Sequence, residues 1–287
     1  MASRNDRWLQ LNVALARHNG TALPAARHVL RAIEELPASA RAGFFFQRKP
    51  PDLRLRFAGD RERLSVRLLP LLRRARSEGH VLRYFSSVYE PEYRQFGGPE
   101  CMRAVHKFWN TDSLMWIRSD RLAENGFADR ERGPFIEAVL EDLFWRAMED
   151  PCEVWDAWCN FGVLVRASLP GSMTTCPPRI CDLQAAALPH EADLAARYQQ
   201  ANAALADGLS RARENGRMSC GIRSIMPFIA LFTLNRHGYD QPRLTALAGV
   251  MAAAWNPKQQ LTGAAPAPAR RELPPVTATT PQHTAPG

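Results

Sequence analysis

Residues 52–57 read DLRLRF. Leu53, Leu55 and Phe57 alternate with Arg54 and Arg56, and successive side chains of a strand point to opposite faces. The stretch therefore reads as a strand with one apolar face and one face carrying two guanidiniums. It needs a core on one side only. GFFFQRK (43–49) reads as its neighbour, joined through Pro50 and Pro51. RWLQLNVALA (7–16), which alternates imperfectly, and HVLRYFSSVYE (80–90) read as two more strands; Gln10 and Asn12 break the apolar stretch of the first.

Helical spacing dominates the remainder. PAARHVLRAIEEL (24–36) opens with proline and carries Val29, Leu30, Ile33 and Leu36 on one face. Residues 61–79 form an amphipathic helical pattern interrupted by Pro70. After Gly97-Gly98, residues 99–123 read as one or two helices. Segments 133–150, 151–167, 190–216, 224–240 and 243–255 continue as helices, with a loop at 170–182. From about 257 proline, alanine and threonine without an apolar period predict a disordered tail. Strands in the first 90 residues and helices in the rest predict an α+β fold, with an antiparallel or mixed N-terminal sheet packed on a mostly helical body. The expected organisation is one domain over 1–256 and a tail over 257–287.

Composition narrows the function classes. The chain has 287 residues and a formal net charge of +8, much of it arginine in the first half. A basic surface suits nucleic acid, anionic lipid or an acidic peptide. No aromatic-interleaved RNA motif, zinc finger or helix-turn-helix pattern accompanies it, so direct nucleic-acid binding is not expected. No run approaches the ~20 apolar residues that span a bilayer, and the first twenty residues lack the form of a signal peptide. The expectation is a cytoplasmic protein without membrane contact. The six cysteines match no zinc spacing, and Cys176 and Cys181 are too far apart for a redox pair. Free, buried thiols are expected, with no metal and no cofactor.

Three pieces in order, FFFQRKPPDLRLRF, YEPEYRQFGGPECMRAVHKFWNTDS and IALFTLNRHGYD, resemble the C-terminal domain of lanthipeptide dehydratases. That domain is also found free-standing as the thiopeptide-type bacteriocin biosynthesis domain. The resemblance covers residues 5–255. It implies work on a ribosomally made precursor peptide with its leader. One branch of the family eliminates glutamate from glutamylated Ser or Thr. Another joins two dehydroalanines in a formal [4+2] cycloaddition and expels water and the leader, forming a pyridine. A separate glutamylating dehydratase subunit is the implied partner.

Elimination needs a base for the α-proton, cations for the enolate-like charge and for the departing carboxylates, and arginine suits the latter roles. Arg54 and Arg56 occupy the family's strand positions, and Asp52 stands where the family has histidine. Tyr89, Glu90, Pro91, Glu92, Gly97, Gly98, Asp112 and Ser113 match the second motif. Gln95-Phe96 replaces the usual Arg-Tyr, with Arg94 adjacent, and Leu231 falls where the family places a histidine. His237 lies six residues further on, about 240° around a helix, and cannot stand in. These departures favour cycloaddition, with glutamate elimination and non-catalytic leader binding as the alternatives.

The catalytic candidates are Arg54, Arg56, Tyr89 and His106, and the substrate-binding candidates Glu92, Arg94, Gly97, Gly98 and Arg236. Each has a plainer reading. The two arginines suit the solvent face of an edge strand. Tyr89 suits a core position with its hydroxyl tied to backbone, and a lone helical His106 is often structural. Asp112-Ser113 reads as a helix N-cap before LMWI. Arg236 suits the end of an apolar helix, where carbonyls and the dipole favour a cation. Gly97 and Gly98 imply a tight turn, a close backbone approach, or both, at the edge of the peptide pocket.

Overall fold

The computed structural model describes residues 8–124, 129–167, 183 and 192–260. The chain runs β1 (Trp8–Leu15), α1 (Leu23–Glu34), α2 (Ala38–Arg41), β2 (Phe44–Lys49), β3 (Asp52–Ala58), α3 (Arg61–Ser77) and β4 (Val81–Ser87). It continues through α4 (Pro99–Glu124), α5 (Asp129–Met148), α6 (Pro151–Leu164), α7 (Ala192–Glu214), α8 (Ile222–Arg236), α9 (Gln241–Ala254) and α10 (Pro257–Gln260). The fold is α+β. Among the described residues no helix is long and apolar enough to cross a membrane.

The four strands make one antiparallel sheet in the order β2-β3-β1-β4. Their alternation separates two faces. Leu9, Leu11 and Val13 of β1, Phe44 and Phe46 of β2, and Leu53, Leu55 and Phe57 of β3 join Val29, Leu30 and Ile33 of α1 and Leu64, Leu68 and Leu72 of α3 in one buried cluster. Each such side chain contributes about 1.5–3 kcal/mol when taken out of water. A slip of one residue would put Arg54 and Arg56 among them, so the register is tightly set. β3 is an interior strand, which corrects the edge-strand reading of its two arginines.

α3 runs unbroken through Pro70. Asp60 caps it, its side chain accepting from the Arg63 amide at 2.8 Å. Pro70 costs the helix one donor, but it is exposed, as is Val66 one turn earlier, so water is available to the orphaned carbonyl.

The second and larger cluster is built by the helices around Trp109, Phe144, Trp158, Phe161 and Tyr198. α4, a single helix of 26 residues, belongs to both clusters: Val105 and Trp109 serve the helical body, Trp116 and Ile117 the sheet. Asp112 and Ser113 thus sit inside a helix, not at its N-cap. Ser113 Oγ accepts from the Phe46 amide at 3.2 Å, and Asn110 Nδ2 donates to the carbonyls of Arg41 and Phe44, both at 2.7 Å. Asp112 is fully buried. It pairs with the Arg236 guanidinium and receives Tyr198 Oη at 2.7 Å and His237 Nε2 at 3.0 Å. Arg236 Nε in turn donates to the Phe46 carbonyl at 2.9 Å. These tertiary partners outweigh the local preference of aspartate for a helix start.

The glycine pair answers to both expectations. Gly97 and Gly98 have φ of +75° and +105°, which side chains rarely adopt. A Cβ on Gly97 would lie 2.6 Å from Ile225 Cδ1, and one on Gly98 3.3 Å from the Arg217 carbonyl oxygen. The Ser219 amide also donates to the Gly97 carbonyl at 3.1 Å. The pair turns the chain into α4 while α8 and the α7–α8 connection press against it.

Cys101 is buried, Cys159 and Cys220 are half-buried, and Cys152 is exposed, against the expectation of uniformly buried thiols. Cys176, Cys181 and the loop at 170–182 lie outside the described residues, as does the tail beyond 260. Residues 257–260, assigned to that tail from composition, form a helical turn, with Asn256 Oδ1 accepting from the Lys258 amide at 3.0 Å.

Removing one member of the Asp112–Arg236 pair leaves a buried charge uncompensated. Asp112→Ala should lower stability by about 3–5 kcal/mol in chemical denaturation. Asp112→Leu combined with Arg236→Met should cost less than the sum of the two single changes. Strict additivity would show that the pair is not coupled.

Candidate active site

The face of the sheet turned from α1 and α3 is polar and ordered in rows. Antiparallel register sets Phe45, Arg56, Gln10 and Ser87 side by side, and Gln47, Arg54, Asn12 and Phe85 in the next row. Arg56 Nε donates to Gln10 Oε1 at 2.7 Å, and Gln10 Nε2 and Asn12 Nδ2 donate to Ser87 Oγ at 2.6 and 2.7 Å. Arg56 is only 4% exposed, and its guanidinium carbon lies 4.1 Å from the centre of the Tyr89 ring. Arg54 is half-buried, its Nε donating to the Pro50 carbonyl at 3.3 Å. Lys49 follows on β2, its Nζ 4.9 Å from the centre of the Phe232 ring on α8.

Beyond Arg56 lies an aromatic wall. Tyr89 Oη and His106 Nε2 are 2.7 Å apart, and Trp8 packs on both rings at 5.1 and 4.6 Å. Burial drives the His106 pKa down to about 3, with the Arg56 charge adding to the effect. Burial likewise raises that of the Tyr89 hydroxyl, against the pull of Arg56. Both groups are therefore uncharged at neutral pH. They form a neutral donor–acceptor pair beside a fixed cation, so His106 is a weak base. Burial also lowers the Lys49 ammonium; Glu92 opposes this, and Arg56 and Arg54 reinforce it.

Several groups here lack partners within the fold. Both amide atoms of Gln47, which is wholly buried, Nη1 of Arg56 and Oε2 of Glu92 make no hydrogen bond. Unpaired buried donors and acceptors are costly, typically about 1–3 kcal/mol each. Gln47 and Arg56 lie on the same sheet face, and Glu92 is close enough for its charge to act on Arg56.

Of the sequence candidates, Arg54, Arg56, Tyr89, His106 and Glu92 come together. Four do not line this face. Gly97 and Gly98 are buried against Ile225 and the Arg217 carbonyl. Arg94 is exposed, and its carbonyl accepts from Cys220 Sγ at 3.7 Å. Arg236 is wholly buried in the Asp112 network, behind the face, although its charge still reaches Arg56. Leu231 is half-buried on the main core, and His237 is spent on Asp112. Sequence reasoning missed Gln10, Asn12, Gln47, Lys49 and Ser87. The signal was present in Gln10 and Asn12, the residues that break the apolar run of β1, but only the β1–β3 register places them beside Arg56 and Arg54.

The pKa of His106 has a consequence for stability. Its folded value lies below its ordinary one, so the unfolded chain binds a proton first as pH falls. Stability should therefore drop between pH 6.5 and about 3 through this group and be unaffected by it above that window. His106→Gln, which keeps a polar partner for Tyr89, should flatten the acid limb of a denaturation-versus-pH curve. A His106 imidazole seen by NMR to titrate near pH 6.5 would contradict the assignment.

Residues 8–254 match the family described as the lantibiotic biosynthesis dehydratase C-terminal domain. The fold is similar to the crystal structure of the tRNA-dependent lantibiotic dehydratase MibB from Microbispora sp. 107891, with a TM-score of 0.57 and 18% sequence identity. The likeness covers 91% of this chain and 29% of that one, so this chain spans under a third of the length of the structure it matches. No curated protein sequence matches the chain.

Proposed function

Because the chain belongs to the lantibiotic biosynthesis dehydratase C-terminal family, we propose that it modifies a precursor peptide in the biosynthesis of a ribosomally made peptide natural product. The observation that carries this reading is the ordered polar face: Arg54, Arg56 and Lys49 held in fixed register beside unpartnered buried groups. Charge developing on the oxygens of a peptide laid along it would meet Arg54 and, behind it, Arg56. The formal charge of +8 suits an acidic leader.

Within this reading we favour the formal [4+2] cycloaddition of two dehydroalanines. Leu231 stands where the family's eliminating branch has histidine, and burial holds His106 neutral and weakly basic. Cycloaddition asks for less. The substrate amide must shift to its iminol tautomer, and a neutral tyrosine–histidine pair can hand over and accept a proton without either member holding a charge. Ring closure is then followed by loss of water and of the leader. A specific observation favours the second reading, glutamate elimination: three cations on one face suit the free carboxylate of a glutamyl ester and the second carboxylate that forms as glutamate departs. In that case a separate subunit would carry out the tRNA-dependent glutamylation. Leader binding without turnover is the third outcome.

Intact-mass analysis separates these. With a dehydroalanine-containing precursor, cycloaddition should release the leader and leave a pyridine product. Glutamate loss from a glutamylated precursor would select elimination instead. If both peptides bind and neither changes, the protein is an adaptor. Under either enzymatic reading, Arg54→Ala should slow turnover about 10²-fold with little change in thermal stability. A full rate in that variant would remove the polar face from the chemistry.

A further inference from the structure

On the far side of the sheet, three residues distant in sequence meet. His28 projects from α1, Glu78 caps the C-terminus of α3, and His80 leads into β4. One ligand atom from each, two imidazole nitrogens and a carboxylate oxygen, lies within 4.8 Å of the other two. The His28 Nε2 and Glu78 Oε2 atoms are 2.9 Å apart, and the two imidazoles stack with centroids 3.9 Å apart at 20°. We propose that His28, Glu78 and His80 form a binding site for a divalent transition-metal ion of the zinc type, which clasps α1 to the α3–β4 turn.

Two features support a site over a chance encounter. His80 Nδ1 is buried and makes no hydrogen bond, so a lone pair or proton there is unused. The carboxylate, in turn, already has an outer partner. Arg74 Nε donates to Glu78 Oε1 at 2.8 Å, leaving Oε2 turned toward His28. An outer hydrogen bond that fixes a ligating carboxylate is a regular part of metal sites.

The chemistry narrows the ion. Two imidazoles and one carboxylate are borderline ligands that suit zinc, and do not suit calcium or magnesium, which take oxygen sets. Ligand bonds of about 2.0–2.2 Å place the donor atoms closer than 4.8 Å, and a metal lies in the plane of each imidazole, so one ring must turn out of the stack as the ion enters. Three protein ligands leave a fourth position for water. Glu78 and the rim of both histidines are solvent-accessible, which provides an entry path. The backbone around the cluster is already held: the Ala16 amide donates to the His80 carbonyl and the His80 amide to that of Ala75, both at 2.9 Å.

The site lies behind the apolar core, away from Arg54 and Arg56, so it stands or falls independently of the proposed reaction. The test uses the full chain without a polyhistidine tag, stripped with chelator and titrated with Zn²⁺ by calorimetry. One equivalent should bind, with a rise in melting temperature that chelator reverses. Co²⁺ in its place should give the intense visible bands of a four-coordinate ion. His80→Ala and Glu78→Gln should each weaken Zn²⁺ at least about tenfold while keeping the metal-free melting temperature near that of the parent. His18→Ala should bind normally, since His18 is outside the set. Absence of saturable binding, or unchanged affinity in both ligand variants, would overturn the proposal.

Discussion

Everything in this fold hangs on a carboxylate buried inside α4. Asp112 has no water to solvate it, so it persists as an anion only because Arg236, His237 and Tyr198 converge on it. Burial alone would raise its pKa; the Arg236 charge, His237 and the hydrogen bonds donated by His237 and Tyr198 bring it below the usual carboxylate value. The consequence is positional. Arg236 is fixed between the Asp112 carboxylate and the Phe46 carbonyl, and so joins α8, α4 and β2 at one point.

β2 is the strand that needs this. It lies at the edge of the sheet, where free amides and carbonyls would otherwise invite other chains. Side chains of α4 and α8 take those groups instead: Ser113 and Arg236 at Phe46, Asn110 at Phe44. With its edge covered this way, β2 holds Gln47 and Lys49 in register with Arg54 and Asp52. The polar face of the sheet is therefore held in fixed register over the core beneath it. Preorganised cations and dipoles act strongly on developing charge because they need not move during reaction.

The two faces of the sheet divide the labour. One is dry, filled by α1 and α3, and fixes the strand register. The other is polar, with Gln47 and Nη1 of Arg56 left without a partner. The neutral Tyr89–His106 pair follows from the same economy of water: enclosed by Trp8, Phe45 and Trp109, neither ring can hold charge cheaply. The metal-type cluster of His28, Glu78 and His80 belongs to the first side, where α1 and the α3–β4 turn meet at the surface.

The sequence by itself determined the elements and the faces. DLRLRF could be only a strand with an apolar side and an arginine side, because alternation is a local property of the backbone. Gly97 and Gly98 announced a positive φ for the same reason. The α+β class followed from where the two periods occur along the chain. Only the tertiary structure decided what each polar residue does. Asp112 had the local signature of a helix cap and became a core anion. Arg236 had that of a helix terminus and became the brace of an edge strand. Gln10 and Asn12 interrupted an apolar stretch and line the polar face of the sheet. The reason is physical: the fate of a polar group depends on what water it loses and which partner replaces it, and those partners come from segments far away in the chain.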